Sequence, residues 1–144
     1  MSFASIFEAV QLGTVEDVKY FIEEGADVNA KCNKGGPLLF HAILRGDVEV
    51  AKVLVSAGAD VEEEFDDIPM LIYAASNGPV ELAKTLISAG ADINAEVDGI
   101  TALDRARHKG NTMVAQYLSS IGAKEGEIYR KEQMVNQFLS SVRR

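Results

Sequence analysis

What this chain lacks narrows its chemistry before any pattern is read. It holds a single cysteine, Cys32, in 144 residues, which excludes an internal disulfide framework and is compatible with a reducing compartment. No apolar run approaches the roughly 18 residues a membrane span needs. The N-terminal segment Met1-Ser2-Phe3-Ala4-Ser5-Ile6-Phe7-Glu8 has no basic stretch ahead of an apolar one. A cytoplasmic location without membrane association is the expectation. No phosphate-cradling Gly-rich loop is present, and no Ser-His-Asp or Cys-His arrangement can be assembled. Cys32 has no acid–base partner set by spacing. The acidic run Glu62-Glu63-Glu64, with Asp66 and Asp67 beyond it, lacks the alternating ligands and turn glycine of a calcium loop. Neither an enzyme nor a bound cofactor or metal is expected.

A coherent basic surface is also missing. The net charge is -8, and it is uneven: residues 1 to 72 hold 14 acids and 5 bases (-9), residues 73 to 144 hold 8 acids and 9 bases (+1). Nucleic acid is therefore not an expected partner.

What is present is a repeat. Gly25-Ala26-Asp27-Val28-Asn29 returns as Gly58-Ala59-Asp60-Val61-Glu62 and Gly90-Ala91-Asp92-Ile93-Asn94, and is echoed by Gly122-Ala123, at glycine spacings of 33, 32 and 32 residues. A unit this short cannot bury its own apolar face, so neighbours must stack to share a core. The second unit shows the plan. Leu39, Ala42 and Ile43 lie at i, i+3 and i+4 of a first helix that stops at Gly46. Asp47 can cap a second helix whose stripe Val50, Ala51, Leu54 and Val55 ends at Ala57-Gly58. Asn33-Lys34-Gly35-Gly36-Pro37 is turn chemistry, so a projecting hairpin loop is expected between units.

The same columns run through every unit. The stop glycine recurs as Gly13, Gly46, Gly78 and Gly110, and the small residue four before it as Ala9, Ala42, Ala74 and Ala106. In the second helices, Val18, Ala51, Ala83, Ala115 and Phe21, Leu54, Leu86, Leu118 form core columns. Glu16 with Lys19, Glu49 with Lys52, and Glu81 with Lys84 repeat as outward i, i+3 pairs. Stacking also separates the two histidines. His41 and His108 fall two units apart, on the order of 20 Å at helix spacings of 8–10 Å, too far to share a metal ion.

These offsets together resemble the ankyrin-repeat family over residues 3 to 123. The family pattern Gly-x-Thr-Pro-Leu-His-x-Ala is altered here. Proline replaces the threonine in Pro37-Leu38-Leu39-Phe40 and Pro69-Met70-Leu71-Ile72, the family histidine is absent, and only Thr101-Ala102-Leu103-Asp104 keeps the threonine. The loop before the third unit, Glu64-Phe65-Asp66-Asp67-Ile68, has no glycine. The resemblance implies an all-α solenoid of four helix-turn-helix units, about 1–30, 31–63, 64–95 and 96–123, with projecting hairpins. Unit one starts directly at its first helix, as terminal ankyrin repeats do. Residues 124–144 follow as a helix expected to cap unit four with Met134, Val135, Phe138, Leu139 and Val142; a detachable partner-binding segment is the alternative.

For function, the resemblance implies a protein-interaction module whose variable positions face a concave groove. One such row reads Glu8, His41, Tyr73 and Arg105. The pairs before the stop glycines are Gln11-Leu12, Leu44-Arg45, Ser76-Asn77 and His108-Lys109, and the hairpin tips add Asn33, Lys34, Phe65, Asp66, Ile68, Asp98 and Ile100. From these, Glu8, Leu12, Lys34, His41, Arg45, Phe65, Asp66, Ile68, Tyr73, Asn77, Arg105, His108 and Lys109 are the expected partner contacts. The partner is expected to be a folded protein with a basic patch facing the acidic hairpin, bound by a monomer. Self-association through the C-terminal helix or the oppositely charged ends is the alternative. Asn29 and Asn94 sit at a position resembling the asparagine hydroxylated in some ankyrin repeats.

Overall fold

The computed structural model describes residues 4–31 and 35–142. Helices α1 (Ile6–Leu12), α3 (Leu38–Arg45), α5 (Met70–Asn77) and α7 (Ala102–His108) alternate with α2 (Val15–Glu23), α4 (Val48–Ser56), α6 (Val80–Ser88) and α8 (Thr112–Ser120). The first helices pack on one another in one row and the second helices in a parallel row, so the shared core runs continuously through the stack. The column Ala9, Ala42, Ala74 and Ala106 is fully buried, as small residues at a close helix approach must be. Ala51, Ala83, Leu54 and Leu86 are buried too, as are Val18 and Leu118 in the end units, whereas Phe21 and Ala115 there are half-buried.

Each second helix ends in the same motif. The amides of Gly25, Gly58, Gly90 and Gly122 bond the carbonyls of Ile22, Val55, Ile87 and Ser119, and those of Ala26, Ala59, Ala91 and Ala123 reach Phe21, Leu54, Leu86 and Leu118. This 5→2 and 6→1 pairing requires a left-handed residue, and the glycines supply it with φ between 88 and 104°. The first-helix stops are not uniform, contrary to the expectation from Gly46. Gly46 and Gly110 are left-handed, at φ 73 and 72°, but Gly13 and Gly78 are extended. Gly78 precedes Pro79, which disfavours helical geometry before it, and a Cβ there would lie 2.6 Å from the Ala74 carbonyl oxygen. Its smallness is a steric requirement.

Side chains then staple unit to unit. The Asp27, Asp60 and Asp92 carboxylates each accept the amide two residues on, at 2.9 Å, forming three equivalent Asx turns. Those turns point the next side chain at the following unit. Asn29 Oδ1 accepts from the Asp60 amide (2.8 Å), Glu62 Oε1 from Asp92 (2.7 Å) and Asn94 Oδ1 from Lys124 (2.8 Å). Asn29 and Asn94 are thus engaged in inter-unit bonding, which explains their recurrence.

Two of the expected hairpins form; the tip of the one before the second unit, with Asn33 and Lys34, lies outside the described residues, and Lys31 and Pro37 bridge antiparallel on either side of it. Strand β1 (Glu64–Phe65) pairs antiparallel with β2 (Ile68–Pro69), and β3 (Glu96–Val97) with β4 (Ile100–Thr101). Two-residue turns of this hand need positive φ at both positions. Asp98 and Gly99 meet this with φ 52 and 77°, and the glycine-free turn does so with Asp66 and Asp67 at 52 and 60°. Prolines 37 and 69 cap α3 and α5 without any side-chain hydrogen bond. Thr101 instead closes a full capping box with Asp104.

Helix α9 (Glu127–Val142) forms where the spacing expects a helix, but it does not cover unit four. Val135, Phe138, Leu139 and Val142, expected to be buried there, are 55, 65, 43 and 64% exposed, and Leu118 beneath is fully buried without them. The reason lies in the attachment. Among the described residues, the approach to the helix and its first turn dock, through Gly126 N–H to Asp104 Oδ2 (2.7 Å), Thr101 Oγ to the Lys124 carbonyl (3.0 Å), Arg107 to Glu125 (2.8 Å), Ile128 N–H to the Gly99 carbonyl (3.3 Å) and a long ion pair of Arg130 with Glu96 (3.5 Å). The rest of the helix leaves the stack.

Candidate functional site

A groove of about 450 Å³ opens across the C-terminal ends of α3, α5 and α7. Its walls come from equivalent positions of consecutive units: Leu44 and Arg45, Ser76 and Asn77, and Lys109, with Tyr73 and Arg105 one turn back. The repeat geometry explains the convergence. Residues at the same column of stacked units lie side by side, so positions 32 residues apart in sequence become neighbours in space.

Among the described residues, the groove carries three cations and no carboxylate in its lining. Arg45 donates from Nη1 to the Val10 carbonyl at 3.1 Å, which fixes its guanidinium against the C-terminal half of α1. Arg105 is half-buried, and among the described residues its Nε–H has no acceptor. Lys109 is exposed. Among the described residues, the Arg105 and Lys109 side chains make neither a hydrogen bond nor an ion pair. The other basic residues of the stack behave differently: Lys19, Lys52 and Lys84 pair with Glu16, Glu49 and Glu81 at 3.5–3.8 Å as expected, and Lys31 pairs with Glu63 at 2.9 Å.

Beside the groove stands an aromatic cluster. Phe40, buried, lies 4.3 Å from Phe65 and 4.7 Å from Tyr73, ring centroid to centroid. The Tyr73 hydroxyl donates to the Phe65 carbonyl at 2.8 Å. Burial, and then the Asp66 charge, push the Tyr73 phenol above its usual range, so it stays a donor. Phe65 and Tyr73 therefore brace the β1–β2 hairpin against α5. They are not the freely exposed anchors their variable columns suggest. His41 lies edge-on to Phe40 at 5.5 Å, and burial lowers its pKa.

Of the expected contacts, the structure brings Arg45, Tyr73, Asn77, Arg105 and Lys109 together around one groove. Phe65, Ile68 and Asp66 sit on the adjacent hairpin. Glu8 and Leu12 are exposed on α1, where the Glu8 carboxylate accepts the Ala4 amide at 3.0 Å. His108 is exposed on α7 but does not line the groove, and Lys34 lies outside the described residues. Sequence reasoning missed Phe40, which organises the aromatic cluster. Its column is that of Ile72, one position before the variable row of His41 and Tyr73, so the repeat pattern marks it as core. Among the described residues, no group of His, Cys, Asp and Glu is placed to hold a metal ion.

The model for ankyrin repeats in three copies matches residues 5–64, and that for ankyrin repeats in many copies matches residues 71–118. The chain belongs to the ankyrin-repeat family. A search of curated proteins found no match. Ankyrin repeats are in general non-enzymatic modules for protein–protein interaction. Among the described residues, no helix is long and apolar enough to cross a membrane. The groove and hairpins described above occupy the first-helix side of this ankyrin stack, opposite the regular Glu–Lys pairs of the second helices.

Proposed function

We propose that this protein binds a folded protein partner through the groove and hairpin tips of its first-helix side, as a monomer in the cytoplasm and without a cofactor. The observation that carries the reading is the set Asn77, Arg105 and Lys109, whose side chains line the groove without contributing a hydrogen bond or ion pair to the fold among the described residues. Interface energy concentrates in a few such residues, arginine prominent among them. The braced hairpin next to the groove carries Glu64, Asp66 and Asp67 exposed, so a basic patch on the partner faces it and speeds encounter.

Asn77→Trp tests this by filling the groove without removing a cation. Capture of partners from a native lysate should be lost, while Ser88→Trp on the exposed surface of α6 should leave it intact. Capture unaffected by Asn77→Trp would overturn the assignment of the face. A second reading has its own observation. Met134, Val135, Phe138, Leu139 and Val142 are all exposed on α9, an apolar face suited to self-association as a structural module. Light scattering across a concentration series separates the two, since Phe138→Ser should abolish any dimer formed this way.

A further inference from the structure

Resting on the assignment of the groove as the binding face, we propose that its occupant is an acidic segment of the partner polypeptide, held by its carboxylate side chains between Arg45, Arg105 and Lys109. Three positive groups line one concavity that has no acidic side chain in its wall. They persist in a chain of net charge -8, where nearly every other basic side chain of the repeats has found a carboxylate. Like charges gathered without a counter-charge repel one another, and a ligand of opposite sign relieves that repulsion. The nearest acid in sequence does not. Asp104 is buried, and its Oδ2 accepts the amides of Thr101 and Gly126 instead of pairing with Arg105.

Arg105 supplies the second observation. Its buried Nε–H lacks an acceptor, a state few native donors occupy without a ligand or water to complete them. After a rotation of the side chain, a carboxylate can take the Nε and Nη hydrogens in a two-bond fork, the geometry guanidinium groups offer and ammonium groups do not. Arg45 is pre-set for the same role by its bond to the Val10 carbonyl, which leaves its other N–H groups to donate. Lys109, exposed at the mouth, adds a mobile charge. A nucleic-acid strand fits less well, since beyond these three cations the described residues offer no coherent basic surface to track a phosphate backbone.

The test uses the full chain and fluorescein-labelled hexaglutamate, read by anisotropy at low salt, with labelled hexaglutamine and hexathymidylate alongside. Saturable binding of hexaglutamate alone is expected, weakened roughly tenfold or more by Arg105→Gln and by Lys109→Gln and unchanged by Lys19→Gln on α2. Lys109 is exposed, so its variant cannot fail merely by unfolding. No binding of hexaglutamate, binding left as tight in both groove variants as in the unmodified protein, or binding of hexathymidylate in its place would overturn the proposal. Should the peptide fail while Asn77→Trp still abolishes partner capture, the groove remains the binding face and only its acidic occupant falls.

Discussion

Helices α5 and α9 make an instructive pair. The first has eight residues, of which Met70, Leu71, Ile72, Ala74 and Ala75 are buried. The second has sixteen and a stripe of apolar residues at helical spacing, yet none of them is buried. Amphipathic patterning is present in both, so patterning alone does not decide burial. What α5 has and α9 lacks is a neighbour on each side: α5 packs against α3 and α7, while α9 meets the stack at its first turn, around the β3–β4 hairpin. In a repeat array the interface between units is the main source of stability, and a helix outside the repeat spacing has no claim on it.

That contrast is broken most severely inside the stack. Leu86→Ala, at a fully buried position of α6, should lower unfolding free energy by about 2–5 kcal/mol in urea titration. Leu139→Ala in α9, 43% exposed, should change it by less than about 0.5 kcal/mol. Equal costs would mean that α9 is part of the core after all.

A smaller effect is expected at the junction of the two regions. Thr101→Val removes the acceptor for the Asp104 amide and the contact with the Lys124 carbonyl, and should cost about 1–2 kcal/mol. Hydrogen exchange at Gly126 should rise with it, because the same box orients the Asp104 carboxylate that holds this amide. Unchanged exchange at Gly126 would show that the tail is held by other means.

The hairpins sharpen the comparison from the stabilising side. Asp67 adopts φ 60° where the equivalent turn has Gly99 at 77°, and a side chain in that region costs free energy that glycine avoids. Asp67→Gly should raise stability by about 0.5–1 kcal/mol in thermal melts. A lower melting point would mean that the Asp67 side chain contributes more than its backbone conformation costs.

The smallest effect belongs to the tail itself. Removing residues 130–144 deletes only exposed contacts, the ion pairs of Arg130 with Glu96 at 3.5 Å and Lys131 with Glu127 at 2.7 Å and the hydrogen bonds that Arg130 and Gln133 donate to Glu125, and should change stability by less than about 0.5 kcal/mol. Ending the chain after Ala123 also removes the links at Lys124 and Gly126, and should lower the melting point clearly more. Identical melting points for the two truncations would erase the distinction between the docked approach and the projecting helix.

Much of this architecture was legible before any coordinates. The Gly-Ala-Asp spacing announced the stack, the Ala9, Ala42, Ala74, Ala106 column announced its closest packing, and Asp47 caps α4 through the Val50 amide as its position implied. The groove was legible in part. Repeat columns placed Arg45, Tyr73, Asn77, Arg105 and Lys109 on one side of the stack, because register along a solenoid converts sequence offset into adjacency. They did not distinguish a free side chain from an engaged one. Phe65 and Tyr73 looked alike as variable aromatics, but Phe40 from the preceding unit draws both into a cluster.

The sequence by itself determined the repeat, its helices and its turns, since caps, Asx turns and left-handed glycines depend on residues a few positions apart. Tertiary structure alone decided which charges stay uncompensated, which aromatics are braced and which apolar helix is left in solvent. Burial and charge pairing depend on what arrives from distant parts of the chain. Among the described residues, Arg107 meets Glu125 there, Arg105 meets no carboxylate, and the apolar stripe of α9 stays exposed.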